Sequence, residues 1–269
     1  MPLLRVNGTE LYYEDTGGDL PPIVFSHGLL WSARMFEAQI AQLRKQYRCI
    51  AYDHRGQGRS KADVARSISM ETCTDDAIAL IQDLGLGPCH FAGLSMGGFV
   101  AMRIAARRPE LLRSCILLET SADPEPPLSR RKYQLMSAMF RTLGPGVLAG
   151  SIMKVMFGES FFTDPSKAAL AKAARAELVG LRRDVWRAVN GVLERDGVYE
   201  EIVQIRLPTL VIVGEEDRAT VPAKAERIAA RIPGAKLVRI PRAGHTSSVE
   251  QPEAVSDSIE RFLAGVQGS

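Results

Sequence analysis

Short apolar runs separated by polar and turn-forming residues recur along the chain. Each run is flanked by Gly, Pro or charged residues, and several contain β-branched side chains, which is typical of buried strands. These runs cover residues 23–26, 49–52, 90–93, 114–118, 210–213 and 236–240. Helical periodicity lies between them, at residues 35–43, 70–84, 98–106, 223–232 and 252–266. This alternation predicts an α/β fold with a mostly parallel, doubly wound sheet covered by helices on both faces.

The alternation is replaced by other patterns in two places. Residues 3–13 carry Asn7-Gly8 at their centre, which predicts an N-terminal β-hairpin. Residues 123–200 open with prolines and then show only helical periodicity. An all-helical insertion between two strands of one sheet predicts a cap over that sheet. We therefore expect a core domain formed by residues 1–122 and 201–269, with a helical cap at 123–200.

Composition and charge narrow the class of protein. The 269 residues are 46% hydrophobic and 24% charged, which is the balance of a soluble globular protein. A net charge of +3, without a basic run interleaved with aromatics, argues against nucleic-acid binding. No signal-peptide core or run of ~18 apolar residues is present, so no membrane partner is expected. The four cysteines form no CxxC pair and are expected to be reduced core thiols, which together predicts a cytoplasmic enzyme.

One serine lies in a sequence context that is typical of a catalytic nucleophile. The stretch Gly93-Leu94-Ser95-Met96-Gly97 fits G-x-S-x-G directly after a predicted strand and before a helical pattern. This is the setting of a nucleophile elbow, in which small residues allow a sharp turn that exposes the serine. The alternative is an ordinary strand-to-helix turn. We predict that Ser95 is a nucleophile, with the N-terminus of the following helix pointing its free N–H groups at the adjacent charge.

A serine hydroxyl needs a base to become nucleophilic. His90 borders a strand and is expected to be a packing or surface residue, whereas His27 and His54 follow strands in turn-rich stretches and are not excluded by spacing. His245 follows the last predicted strand on a loop. That loop lies at the carboxyl edge of the sheet, where the serine turn also lies and where ligands bind in such sheets. His245 is therefore the predicted base.

A third group should fix the tautomer of the histidine. Three acids follow the strand at residues 210–213, and Asp217 is the deepest in that turn. Glu119, just past the strand that ends at Leu118, is the main rival. The chain order Ser95, Asp217, His245 matches the order nucleophile, acid, histidine found with such serine turns, and it favours Asp217.

The oxyanion of a tetrahedral intermediate needs two donors. One should be the backbone N–H of Met96, the residue after the predicted nucleophile. The other should come from the loop His27-Gly28-Leu29-Leu30-Trp31, where Gly28 permits a tight backbone and leaves the Leu29 N–H pointing inward. His27 is then a structural histidine of that loop.

The motifs together resemble the α/β-hydrolase superfamily, and within it the small bacterial carboxylesterases and 3-oxoadipate enol-lactonases. They occur in order along nearly the whole chain: His27-Gly28, the loop Asp53-His54-Arg55-Gly56-Gln57-Gly58-Arg59-Ser60, the serine turn, the acid turn at 214–217, and Gly244-His245. The resemblance implies the α/β-hydrolase fold and no cofactor or metal. Ser95 stands where haloalkane dehalogenases and epoxide hydrolases carry an aspartate, which argues against both. The Asp53–Ser60 loop is expected to be a scaffold turn.

The residues of the predicted cap indicate what kind of substrate to expect. Its Met and Phe side chains and Trp186 suit an adaptable apolar pocket. Apolar side chains at helical spacing are, however, more often simply packed against the sheet. We expect Trp31, Met136, Phe140 and Trp186 to contact substrate. The cap stretch also holds twelve Lys or Arg and nine Asp or Glu residues, most of them expected to be solvated. One arginine facing the pocket would change the expected substrate from a neutral ester to one that bears a carboxylate.

The predicted activity is cofactor-independent hydrolysis of a small carboxylic ester or lactone. Two alternatives remain open at the level of sequence. The same triad can carry out perhydrolysis, acyl transfer or carbon–carbon bond hydrolysis, or the protein can be a ligand receptor with an idle triad. Homo-oligomer formation is also left open.

Overall fold

An eight-stranded sheet forms the centre of the computed structural model, which describes residues 2–61 and 67–267. Along the sheet the strands follow the order β1-β2-β4-β3-β5-β6-β7-β8. The pairs β1/β2 and β2/β4 are antiparallel, and all other neighbours are parallel. The strands are β1 Leu3–Val6, β2 Thr9–Asp15, β3 Pro22–Ser26, β4 Arg48–Tyr52, β5 Cys89–Leu94, β6 Leu112–Leu118, β7 Thr209–Gly214 and β8 Lys236–Ile240. The predicted doubly wound sheet with an N-terminal hairpin is confirmed.

The strand sequences explain their places in the sheet. Every residue of β5 and β7 is buried, because helices cover both faces of the parallel part. The hairpin turns at Asn7 and Gly8, whose φ angles of 45° and 75° are the left-handed conformations that an Asn-Gly turn supplies. The Asn-Gly turn predicted within residues 3–13 is therefore present.

Helices cover the sheet on both faces. Side chains of α1 and α11 pack on one face, and those of α2, α3 and α9 pack on the other. The helices are α1 Glu37–Leu43, α2 Met70–Asp83, α3 Met96–Arg107, α4 Pro127–Leu143, α5 Ala149–Met156, α6 Glu159–Thr163, α7 Ala168–Val179, α8 Trp186–Leu193, α9 Pro222–Arg231, α10 Ser247–Glu250 and α11 Pro252–Gln267. No helix in the described ranges combines the length and hydropathy needed to cross a bilayer.

Helices α4 to α8 lie between β6 and β7 in the chain and form the cap. Most of their buried apolar side chains form a cluster of their own, distinct from the two clusters that flank the sheet. The two cap linkers meet where the Val198 N–H donates to the Ala122 carbonyl oxygen at 2.7 Å. The entry and the exit of the cap are therefore adjacent.

The four cysteines are buried and free. Burial raises the pKa of Cys49, Cys89 and Cys115 to about 12. These side chains are packed as core thiols.

Candidate active site

Ser95 lies at the sharp turn between β5 and α3. Its φ of 51° is in the left-handed region, which is uncommon for a residue with a side chain. Neighbouring groups fix this conformation: the Ser95 N–H donates to the Leu118 carbonyl oxygen at 2.8 Å, and the Thr120 hydroxyl donates to the Ser95 carbonyl oxygen at 2.9 Å. The end of β6 therefore holds the serine in a strained backbone conformation typical of functional sites.

The glycines around Ser95 are required by close packing. A Cβ at Gly93 would lie 2.2 Å from the Gly97 carbonyl oxygen, and one at Gly97 would lie 2.0 Å from the Ser26 carbonyl oxygen. A Cβ at Gly98 would lie 2.5 Å from the Thr120 hydroxyl oxygen. The turn and the first turn of α3 thus approach β3 and the end of β6 too closely for any side chain. Helix α3 begins at Met96, before the predicted residue 98, because this packing outweighs the low helix propensity of glycine.

The loop after β3 lies against the serine turn. A Cβ placed on Gly28 would be 3.7 Å from the Ser95 Cβ. The Leu30 N–H donates to the Gln57 side-chain oxygen at 2.9 Å, which fixes the loop next to Leu29. Within the described ranges, the N–H groups of Leu29 and Met96 have no protein acceptor. The two predicted oxyanion donors are therefore free, and Met96 also stands at the positive end of the α3 dipole.

His27 has a structural role in that loop. Its Nε2 accepts a hydrogen bond from the His54 N–H at 2.9 Å, so Nδ1 carries the proton and donates to the Gly28 carbonyl oxygen at 2.7 Å. Burial lowers the pKa of His27. A neutral imidazole of fixed tautomer thus braces the glycine beside Ser95, and neither of its nitrogens is free to act as a base.

Asp217 and His245 form a hydrogen-bonded pair. The His245 Nδ1 lies 3.0 Å from Oδ2 and 3.1 Å from Oδ1 of Asp217. The carboxylate also accepts from the Ala219 N–H at 2.8 Å and from the Thr220 hydroxyl at 2.8 Å. Burial raises the pKa of Asp217, but the positive charge of His245 and these hydrogen bonds outweigh it and hold the pKa below the ordinary value. The aspartate is therefore ionised and orients the imidazole.

Glu119, the alternative candidate for the acid, bonds to a backbone N–H group and not to His245. Its Oε1 accepts from the Gly214 N–H at 3.0 Å. Burial raises the pKa of Glu119 well above its ordinary value, which disfavours the ionised form. The structure brings Asp217, and not Glu119, into hydrogen-bond contact with His245.

Glu250 holds the histidine loop in place, and sequence reasoning missed it. Its Oε1 accepts from the Gly244 N–H at 2.9 Å and the Thr246 N–H at 3.1 Å, on either side of His245. Its Oε2 accepts from the Gly158 N–H of the cap at 2.8 Å. No pattern in the sequence reveals this role, because the partners are backbone groups from separate parts of the chain.

A cavity of about 180 Å³ joins the core and the cap at these residues. Ser95 and His245 both line it, together with Leu29 and Thr220 from the core loops. Its cap wall is mostly apolar and consists of Met136, Phe140, Leu148, Ile152, Val155, Met156, Val189, Val192 and Leu193. The described lining also contains the polar side chains of Glu125, Tyr133, Ser137, Arg195 and Lys224.

Two of the four predicted substrate contacts, Met136 and Phe140, lie in this lining, whereas Trp31 and Trp186 do not. The Trp31 ring packs edge-on against Phe157 with centroids 6.1 Å apart. The Trp186 ring has the guanidinium groups of Arg187 and Arg141 at 4.9 and 5.2 Å from its centroid. Both indoles are therefore packed against cap residues and do not line the cavity that contains Ser95, which corrects the expectation for these two residues.

The doubly wound sheet, a serine at the strand-to-helix turn and the hydrogen-bonded Asp217–His245 pair define the class of α/β hydrolases. The model of the Alpha/beta hydrolase family matches residues 23–258, and the chain belongs to that family.

The chain is also similar to individual proteins that are named as hydrolytic enzymes. A thermophilic esterase from Thermogutta terrifontis, solved with malate bound, has a TM-score of 0.92 at 31% identity and covers 99% of both chains. The enol-lactonase from Burkholderia xenovorans LB400 has a TM-score of 0.90 at 29% identity, over 98% of this chain and 100% of its own. A Pseudomonas savastanoi pv. phaseolicola (strain 1448A / Race 6) protein named "Putative carbamate hydrolase RutD" is 28% identical over 254 residues, 91% of this chain and 94% of its own. The protein is an enzyme of this class that resembles esterases and enol-lactonases.

Proposed function

We propose that the protein hydrolyses small carboxylic esters or lactones through an acyl-enzyme on Ser95. The observation that carries the proposal is the convergence of groups on one cavity: Ser95, an Asp217-bound His245, and free N–H groups in the loop after β3 and at the start of α3. The names of the esterase and enol-lactonase relatives support the same bond type.

The chemistry assigns one role to each group. His245 takes the proton of the Ser95 hydroxyl as the serine attacks the substrate carbonyl carbon. The N–H groups of Leu29 and Met96 stabilise the oxyanion that forms. The leaving alcohol takes the proton from His245. Water then attacks the acyl-enzyme with His245 as base, and His245 returns the proton to the Ser95 oxygen as the bond to the acyl group breaks and the acid is released. Asp217 stays ionised and stabilises the imidazolium in both halves of the reaction.

Carbamate hydrolysis is a second candidate, because relatives carry that name. The same serine, base and oxyanion donors would attack a carbamate carbonyl. The mostly apolar cap wall instead favours an acyl group that carries a carbon chain, since burying each CH₂ stabilises binding by about 0.8 kcal/mol. Esters and lactones are therefore the preferred substrates.

Steady-state hydrolysis by the full chain tests the proposal. The panel contains p-nitrophenyl esters of increasing acyl length, a simple lactone, an unsubstituted alkyl carbamate, and hydrogen peroxide as a competing acyl acceptor. Ser95→Ala should abolish turnover and leave the circular-dichroism spectrum and melting temperature unchanged. Ser32→Ala, outside the lining of the cavity, is the matched control.

The outcomes separate the candidates. Ester or lactone turnover that disappears in Ser95→Ala supports the proposal. Preferential carbamate turnover, or acyl transfer to peroxide that exceeds hydrolysis, would replace it by another reaction of the same triad. Tight ligand binding with turnover near one per molecule would indicate a receptor.

A further inference from the structure

The turn that carries the Leu29 N–H has a conformation that its own sequence does not favour. The Trp31 N–H donates to the Gly28 carbonyl oxygen at 3.3 Å, which closes a four-residue turn over residues 28–31. Leu30, the third residue of this turn, has a φ of 67°, whereas Leu29 is not among the described residues with a positive φ. This combination defines a type II turn, whose third position normally holds glycine or asparagine. A leucine there is strained and persists only where the surrounding structure holds it.

The side chain of Gln57 provides this support. Its Oε1 accepts the hydrogen bond from the Leu30 N–H at 2.9 Å. This N–H belongs to the central peptide group of the turn, whose orientation distinguishes a type II turn from a type I turn. In a type I turn the same N–H would point to the opposite side and would lose its bond to Gln57. The hydrogen bond therefore selects the conformation that keeps Leu30 at a positive φ.

The same side chain also reaches the residue that carries the second oxyanion donor. Because Oε1 of Gln57 faces an N–H donor, the amide Nε2 is directed at Met96, where it lies 3.6 Å from the sulfur atom. Sulfur is a weak acceptor, so this contact orients the Met96 side chain rather than binding it strongly. Gln57 thus bridges the turn that carries the Leu29 N–H and the residue that carries the Met96 N–H.

Gln57 is fixed in place and lies outside the lining of the cavity that contains Ser95. It is only 2% exposed, and its backbone N–H donates to the His54 carbonyl oxygen at 2.9 Å. Asp53, at the start of the same loop, accepts from the Ala33 N–H at 2.7 Å and so joins this loop to the segment that follows the 28–31 turn. A buried amide outside the cavity lining affects catalysis only through the groups that it touches.

We propose that Gln57 is a positioning residue for the two oxyanion donors: it holds the 28–31 turn in the type II conformation, which keeps the Leu29 N–H available to the oxyanion, and it orients Met96. This inference rests on the proposed function, because the oxyanion belongs to the acyl-enzyme reaction. Oxyanion donors stabilise charge that develops in the transition state and contribute little to ground-state binding. Loss of the Gln57 amide should therefore lower kcat and leave KM nearly unchanged.

Gln57→Leu tests this role, because leucine offers no acceptor to the Leu30 N–H. We expect kcat on the best ester or lactone of the panel to fall at least about tenfold, since removal of one oxyanion donor costs about 10²–10³-fold and a displaced donor costs part of this. A trifluoromethyl ketone with the same acyl chain gives a second readout. Ser95 adds to its carbonyl carbon to form a hemiketal oxyanion, with the serine proton on His245, so its Ki should rise by a similar factor.

Gln39→Leu is the matched control for loss of a buried amide. Gln39 is fully buried and its Nε2 donates to the Ser248 carbonyl oxygen at 3.1 Å, but neither residue lines the cavity. This variant should lower the melting temperature without changing kcat. If Gln57→Leu does not fold, Gln57→Asn replaces it, because its amide is one methylene shorter and falls short of the Leu30 N–H.

Leu30→Gly separates the turn conformation from the other packing of Gln57. Glycine adopts a positive φ without strain, so the type II turn no longer depends on the bond to Gln57. The factor by which Gln57→Leu lowers kcat should be at least about threefold smaller in the Leu30→Gly background than in the wild-type background, because contacting residues couple by this much or more. Equal factors in the two backgrounds would show that Gln57 does not act through the turn.

The crystal structure of Gln57→Leu gives a readout that does not depend on turnover. The expected result is a negative φ at Leu30 and a changed 28–31 turn. A Leu30 φ that stays near 67°, or a kcat within about threefold of the wild type, would overturn the proposal. A wild-type enzyme without Ser95-dependent turnover would instead overturn the proposed function, and the structure of the variant would still decide whether Gln57 holds the turn.

Discussion

At the scale of single residues, the pKa values of two buried acids, Asp217 and Glu119, are shifted in opposite directions. Asp217 has a lowered pKa because the charge and hydrogen bonds around it outweigh burial, whereas burial dominates at Glu119 and raises its pKa. A carboxylate that orients a histidine must be ionised, and burial of Glu119 disfavours that form. Substitutions of the two acids should therefore differ in their effects on kcat and on the free energy of unfolding.

Asp217→Asn should reduce kcat on the order of 10³–10⁴-fold, because an amide no longer favours the tautomer that leaves His245 Nε2 free as base. Glu119→Gln should change kcat by less than about threefold, since glutamine keeps the acceptor for the Gly214 N–H. Steady-state kinetics on the best ester of the panel measures both. A dead Glu119→Gln beside an active Asp217→Asn would reverse the assignment of the acid.

Glu119 should also make the protein less stable as the pH rises. Its raised pKa means that the folded state keeps a proton that the unfolded state releases above about pH 4.3. Its stabilising contribution is complete below that pH and is lost as pH rises through the folded-state pKa, by up to about 1.4 kcal/mol per pH unit. Urea unfolding between about pH 5 and about pH 8 should therefore show a smaller loss for Glu119→Gln than for the wild type. Parallel curves for the two proteins would mean that Glu119 is ionised when buried.

At the scale of elements, the serine turn joins β5 to α3 and packs against β3 and the end of β6. The sequence predicted the strand, the turn and the helix from the pattern around Ser95. It did not show which atoms each glycine meets, because those atoms belong to Ser26 and Thr120, far away in the chain. The glycines that the sequence indicates as turn residues are therefore also required by their packing against distant parts of the chain.

Gly97→Ala should lower the free energy of unfolding by about 3 kcal/mol or more, because its Cβ would lie 2.0 Å from a backbone oxygen. Gly150→Ala in α5 is the matched control, since a Cβ there meets nothing within 4 Å. That substitution should stabilise the protein by about 0.5–1 kcal/mol. Chemical denaturation of both variants measures the contrast, and two equal effects would contradict the packing argument.

At the scale of the whole molecule, the cap and the histidine loop are held as one unit. Glu250 accepts from Gly158 of the cap and from Gly244 and Thr246 of the loop, and the Thr246 hydroxyl donates to the Met156 carbonyl oxygen at 2.9 Å. The cap wall of the cavity that contains Ser95 is thereby fixed relative to His245. A change in this contact should affect stability and catalysis together.

Glu250→Gln should lower the free energy of unfolding by about 2 kcal/mol or more, because an amide NH₂ would face buried N–H donors. It should also lower kcat through displacement of His245. Thermal unfolding and steady-state kinetics measure the two effects, with Glu253→Gln at the exposed start of α11 as the control. Wild-type behaviour of Glu250→Gln would show that the loop is held by other contacts.

The sequence by itself determined the order of strands and helices, because apolar periodicity is a local property of the chain. It also selected Ser95, Asp217 and His245, since each follows a strand at the edge where parallel strands end together. The tertiary structure alone decided which cap side chains face the cavity. Helical periodicity marks a buried face without saying what that face contacts, so Met136 and Trp186 looked alike in the sequence. Packing in three dimensions placed the Trp186 ring against the guanidinium groups of Arg141 and Arg187, and Arg195 in the lining of the cavity that contains Ser95.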